Sequence, residues 1–163
     1  MLKEKSNAGK SSTKMTLTPE TAKLSSSFEG NKNKLPWPVD NGFVSGKFGK
    51  HAHPVLKNII VENQGVDIQT EKAANVRAVF DGKVSTVAFV PGMNTVVIVQ
   101  HGDYFTLYAR LKNINANIKK GYTVKAKELI GEVFTDNNDN TEVHFEVWKN
   151  FDKLNPEKWL FAK

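Results

Sequence analysis

The 163-residue chain predicts an all-β domain, an antiparallel β-sandwich or barrel-like fold with one short N-terminal helix. Three observations carry this. Strand-length runs recur about every ten residues from Val39 onward, separated by Asn-Gly, Asp-Gly and Pro-Gly turn signals. No long amphipathic helix interrupts them. The run Thr95-Val96-Val97-Ile98-Val99-Gln100 is β-branched almost throughout, as a central strand should be.

Composition narrows the class. There is no cysteine, which excludes a disulfide framework and thiolate metal sites. No run approaches the ~18 apolar residues of a membrane span. Met1-Leu2-Lys3-Glu4-Lys5 lacks the apolar core of a signal peptide, so the sequence reads as cytoplasmic or as a piece of a longer secreted or anchored chain. The net charge is +6 and uneven: residues 1–34 hold seven Lys and three Glu, whereas the remainder has 16 Lys+Arg against 14 Asp+Glu. The basic excess thus belongs to a solvated tail, and the near-balanced remainder argues against nucleic acid as a partner.

Residues 1–16 are rich in Lys, Ser and Thr and hold too little apolar surface to offset ordering entropy, so disorder is expected. Thr18-Pro19-Glu20 starts a helix: an N-cap, a proline at the first helical position and an acid in the first turn. Leu17, Leu24 and Phe28 supply its apolar stripe, and Gly30 ends it. Leu35-Pro36-Trp37-Pro38-Val39 is extended, because proline disfavours helix at itself and at the residue before it. The boundary is placed here: 1–34 as a flexible basic tail with a short helix, the stub of an upstream region, and 35–163 as the folded domain.

Asn41-Gly42 turns into Phe43–Gly49, whose glycines allow bends. His51-Ala52-His53-Pro54 reads as a loop, and its two histidines as structural rather than metal ligands. Asn58–Val61 and Gly65–Ile68 read as strands. Val76–Val79 and Lys83–Val90 read as a hairpin closed by Asp81-Gly82. Pro91–Asn94 turns into the central strand, and His101-Gly102-Asp103 turns out of it. In Tyr104–Leu111, alternation puts Phe105, Leu107 and Ala109 on one face and Thr106, Tyr108 and Arg110 on the other. Short strands follow at Tyr122–Val124 and Glu128–Phe134. The polar loop Thr135–Thr141 lacks the glycine and distal glutamate of a calcium loop. Asn155–Leu160 reads as a final helical turn.

The strand Thr141-Glu142-Val143-His144-Phe145-Glu146-Val147-Trp148 organises the chemistry. Its period of two predicts a half-buried strand with Glu142, His144 and Glu146 in a row on one face.

Landmarks in order across residues 37 to 160 resemble the LytM or lysostaphin-like domain, the duplicated-hybrid-motif family of zinc metallopeptidases that cut peptidoglycan cross-bridges. They are Val44–Gly49 with His53-Pro54, Gly65-Val66-Asp67-Ile68, and Ala78–Val84. Asn94–Ile98 with His101-Gly102-Asp103 follows, then Leu107–Leu111, Lys120-Gly121 with Ile130-Gly131, Val143–Glu146, and Asn155-Pro156 before Trp159-Leu160. The resemblance places the family's aspartate ligand at Asp67 and one histidine ligand at His144. The first histidine ligand falls at Asn63, and the two assisting histidines fall at Arg110 and Glu142. An Asn carbonyl is a weak neutral ligand, and Arg110 cannot take up a proton. No catalytic residue, no metal and no cofactor are therefore expected. Instead, Arg110 and Glu142 are expected to pair bidentately, and Asp67 to accept a hydrogen bond from His144.

A LytM-type domain without its zinc set resembles the EnvC-like murein hydrolase activators, with Leu24–Val39 at the junction to an upstream coiled coil. The resemblance implies a periplasmic or extracytoplasmic pseudoenzyme of cell division that binds and switches on a cell-wall amidase. Peptidoglycan is a second possible ligand, and any membrane contact would come through the upstream region. The partner groove would be rimmed by Asn63, Asp67, Arg110, Glu142 and His144. The alternatives are an active zinc endopeptidase and a peptidoglycan-binding module.

Overall fold

The computed structural model describes residues 17–53 and 55–162; the stretch 1–16, expected to be disordered, and Pro54 lie outside the described residues. Helix α1 (Pro19–Glu29) begins as its sequence demands. Thr18 Oγ1 accepts from the N–H of Thr21 at 3.2 Å, and Thr21 Oγ1 accepts from the N–H of Thr18 at 2.8 Å. These bonds satisfy donors that a first turn leaves free.

Gly30 ends α1 as expected, though in right-handed geometry (φ −67), and the left-handed residue is Asn33 (φ 72). The docking face differs from expectation. Leu17 and Leu24 stay half-buried, while Ser25 and Phe28 are buried. Phe28 stacks on His101 at 4.7 Å and on Trp159 at 5.1 Å. Ser25 hydrogen-bonds Asp103 and lies against Gly102, where an added Cβ would meet Ser25 Cβ at 2.5 Å. Gly102 also has φ 75, so a residue without Cβ is required twice over.

Strands follow in chain order: β1 (Phe43–Gly46), β2 (Gly49–Ala52), β3 (Ile60–Asn63), β4 (Val66–Gln69), β5 (Asn75–Arg77), β6 (Gly82–Val90), β7 (Asn94–His101), β8 (Tyr104–Lys112), β9 (Thr123–Val124), β10 (Leu129–Val133), β11 (Glu142–Lys149) and β12 (Asp152–Leu154). A 3-10 turn at Pro156–Lys158 closes the chain, N-capped by Asn155. The main antiparallel sheet runs β1-β4-β11-β8-β7-β6-β9, with β10 bridging β8 and β5 and β12 beside β11. The all-β antiparallel class with a short helix is thus what the chain adopts. β2 and β3 form a separate two-stranded ribbon.

The main core lies on one face of the sheet, with Val66, Ile68, Val97, Tyr108, Val143, Phe145 and Val147 fully buried. The opposite face carries a second apolar cluster of Val96, Ile98, Phe105 and Ala109, bordered by Met93, Leu107 and Trp148. The site described below stands on this second face.

Two sequence expectations are corrected. Val76–Val79 and Lys83–Val90 are not hairpin partners: β5 pairs with β10, and β6 pairs with β7 and β9. A tight hairpin turn needs positive φ at its centre, and neither Asp81 nor Gly82 has it. Gly82 serves close approach instead, since a Cβ there would meet the Gln100 carbonyl oxygen at 2.5 Å. His51 and Ala52, read as loop, belong to β2 and pair with Val61 and Ile60.

Candidate functional site

The site is built on four adjacent main-chain segments. β4 presents Asp67 and β11 presents Glu142, His144 and Glu146; in register, His144 stands opposite Asp67 on one side and Ala109 of β8 on the other. Val66, Ile68, Val143, Phe145 and Val147 turn to the main core, so their polar neighbours turn away from it. β11 is nevertheless covered on both faces: His144 is 5% and Glu146 7% exposed, which corrects the half-buried reading.

Arg110 joins this face through a break in strand geometry. Strict alternation would put it beside Tyr108, facing the main core. The β7–β8 register shifts between Thr95 and Val97, and Arg110 takes a left-handed conformation (φ 67). This bulge sends Leu111 into the core and Arg110 to the side of Asp67. Bonds to neighbouring segments hold it: Arg110 N–H donates to Met93 O at 2.7 Å, and Arg110 O accepts from Phe134 N–H at 2.8 Å.

The five expected groove residues come together. Arg110 Nη1 lies 2.9 Å from Asp67 Oδ1 and 3.8 Å from Glu142 Oε1. The expected bidentate Arg110–Glu142 pair is therefore not formed; Asp67, the more buried carboxylate, takes the closer contact, and Ser45 Oγ donates to Glu142 Oε2 at 2.7 Å. His144 Nδ1 lies 3.0 Å from the same Asp67 Oδ1, the contact expected from sequence. Asn63 Oδ1 accepts from Gly65 N–H at 3.2 Å, which turns its Nδ2 to donate to Asp67 Oδ2 at 3.0 Å. Glycine is needed nearby: a Cβ on Gly46 would meet Asp67 Oδ2 at 2.5 Å.

Glu146 completes the network and was not assigned to the groove from sequence, although alternation puts it on His144's face. Its Oε2 lies 2.7 Å from His144 Nε2, and its Oε1 accepts from Trp148 Nε1–H at 2.7 Å. Both imidazole nitrogens therefore face carboxylates, and both can be satisfied only if each carries a proton. Burial works against the charged ring, but the bonds to Asp67 and Glu146 and their charges outweigh it, pushing the His144 pKa up to about 9. Burial would raise the Asp67 pKa, yet the His144 bond and the charges of His144 and Arg110 hold it below its ordinary value.

This donor set does not fit a zinc ion. Catalytic zinc takes a neutral imidazole nitrogen. Here both His144 nitrogens are committed to carboxylates, Asn63 turns N–H toward Asp67, and a guanidinium occupies the remaining approach to Asp67. Two cationic groups stand among the three carboxylates, where a metal would need lone pairs.

The other histidines have structural partners. His51 Nε2 lies 3.1 Å from Lys47 O, and His53 Nδ1 accepts from the N–H groups of Val55 and Leu56. His101 is fully buried between Asp81 O at 2.7 Å and Thr106 Oγ1 at 2.9 Å, and burial lowers its pKa to about 4. In the polar loop, Asp136 Oδ1 accepts from the N–H groups of Asn138 and Asn140.

A family model described as Peptidase family M23 matches residues 61–156. The chain is 28% identical over 126 residues to the murein hydrolase activator NlpD of Salmonella dublin, an alignment covering 76% of this chain and 30% of that protein. It is 27% identical over 126 residues to the murein hydrolase activator EnvC of Escherichia coli, covering 76% and 28%. A crystal structure of a zinc containing peptidase from Vibrio cholerae is similar at TM-score 0.66 and 28% identity, covering 80% of this chain and 41% of that one. The chain spans less than a third of the length of these two activators.

Proposed function

Because the chain belongs to peptidase family M23, we propose that it regulates cell-wall hydrolysis outside the cytoplasm without itself cleaving bonds, by binding and activating a peptidoglycan amidase. One observation carries the reading: His144, at the position of a family ligand, has Nδ1 3.0 Å from Asp67 and Nε2 2.7 Å from Glu146, an arrangement that favours the imidazolium. A ring charged on folding offers no lone pair to a metal and no site for a further proton.

What remains is a polar groove of Asn63, Asp67, Arg110, Glu142 and His144 with fixed charges. Arg110 and Glu142 are its accessible members, each about one-third exposed, and they suit docking of a partner segment. Activation would then be a population shift: the domain binds better to the open form of an amidase than to its closed form. The names NlpD and EnvC, both murein hydrolase activators, support the same role. The test is reconstitution with a cell-wall amidase on purified peptidoglycan. Stimulation by the wild-type chain and none by Arg110→Glu is expected; equal stimulation by both overturns the groove assignment.

The likeness to a zinc containing peptidase supports a second reading, an endopeptidase. Zinc content after purification separates the two. Retention on sacculi that a soluble amidase does not displace would instead indicate a peptidoglycan-binding module.

A further inference from the structure

The β2–β3 ribbon carries a feature for which the groove has no use. Its tip exposes Val55 (78%), Leu56 (55%), Ile59 (46%) and Ile60 (66%). Four large aliphatic side chains within six positions form a patch of the kind that marks a contact surface, unlike singly scattered apolar residues. Among the described residues the ribbon pairs with no strand of the main sheet, so the tip is not packed as a sheet element.

Three of the tip's backbone donors are satisfied from within. His53 N–H donates to Ile59 O at 2.8 Å, which closes the loop. His53 Nδ1 accepts from Val55 N–H at 3.0 Å and from Leu56 N–H at 2.9 Å. These two donors need neither water nor a partner's acceptor, which removes a main obstacle to placing them in an apolar medium. Charge points the same way: Lys47, Lys50 and Lys57 are exposed on the ribbon and its entry, against one acid, Glu62.

We propose that this tip is an interfacial anchor that seats the domain on an anionic lipid surface. Val55, Leu56, Ile59 and Ile60 enter the headgroup boundary while Lys50 and Lys57 meet lipid phosphates. A protein pocket would reward tip donors left free to bond with it; here those of Val55 and Leu56, at the most exposed end of the tip, are already closed off by His53. The anchor also places the groove, because Asn63 at the base of the ribbon bonds Asp67. The assignment stands whether or not the groove binds an amidase.

The test is cosedimentation of the full chain with vesicles of phosphatidylglycerol and phosphatidylethanolamine, against vesicles of phosphatidylcholine alone. Binding to the anionic vesicles, weakened by salt, is expected, with little binding to the neutral ones. Leu56→Ser and Ile60→Ser should each weaken it roughly tenfold, and Lys57→Gln about fivefold. Unfolding midpoints should not move, since all three side chains are exposed. No binding to anionic vesicles at low salt, or equal binding by wild type and variants, overturns the proposal. So does capture of a soluble protein through the tip without vesicle binding.

Discussion

His144 Nδ1 lies 3.0 Å from Asp67 Oδ1, directly across the β4–β11 pairing. With Glu146 on the other nitrogen, folding raises the His144 pKa from 6.5 to about 9. A group that gains proton affinity on folding stabilises fully below its unfolded pKa, and that contribution disappears as pH rises through the folded one. Asp67 is shifted downward, so its contribution is present above its ordinary value and is lost as pH falls through the folded one. Urea unfolding across a pH series should show a decline between pH 6.5 and about 9, on the order of 3 kcal/mol at most. His144→Gln should flatten that decline; a wild-type profile flat over the window contradicts the imidazolium assignment.

Arg110 separates stability from binding. Its left-handed conformation costs a non-glycine residue about 1 kcal/mol. Arg110→Gly relieves that cost and removes the Asp67 ion pair, so urea unfolding should find it within about 1 kcal/mol of wild type. Stimulation of an amidase should nevertheless be lost. A variant that stays fully stimulatory would move the docking surface away from Arg110.

Gly65 fits where no side chain does, because an added Cβ would overlap the Phe145 carbonyl oxygen and crowd Glu146 Cγ. Gly65→Ala must displace β4 from β11, and chemical denaturation should show a loss of about 2 to 4 kcal/mol. A loss below about 0.5 kcal/mol, the range of a neutral surface change, would mean that the two strands are less closely apposed.

Gly102→Ala should undock α1. The new methyl group would meet Ser25 and the Thr21 carbonyl oxygen, and φ 75 disfavours any side chain. Hydrogen exchange in residues 19–29 should speed up selectively while β7 and β8 keep their protection. Unchanged protection of the helix would contradict the docking described.

The sequence made some features legible and hid others for physical reasons. The start of α1, the Pro91–Asn94 turn and the central position of β7 follow from local chemistry, which acts within a few residues. The docking face of α1 did not show, because Ser25 is polar and its contact depends on a glycine 77 positions later. The Asp81-Gly82 signal marked a bend whose partners are remote strands. The groove residues were found by aligning motifs, yet their pairing was only partly anticipated. Nothing in Tyr108-Ala109-Arg110-Leu111 announces a bulge, since no Gly or Asn marks the left-handed residue; that bulge hands Arg110 to Asp67. The role of Glu146 required knowing that β11 is covered on both faces.

Metal analysis of the purified chain, with and without added zinc and alongside digestion of cross-linked peptidoglycan, tests the central claim most directly. With His144 charged between two carboxylates and Arg110 beside Asp67, substoichiometric zinc and no cleaved cross-bridges are predicted. One tightly held zinc per chain together with cleavage would contradict the account.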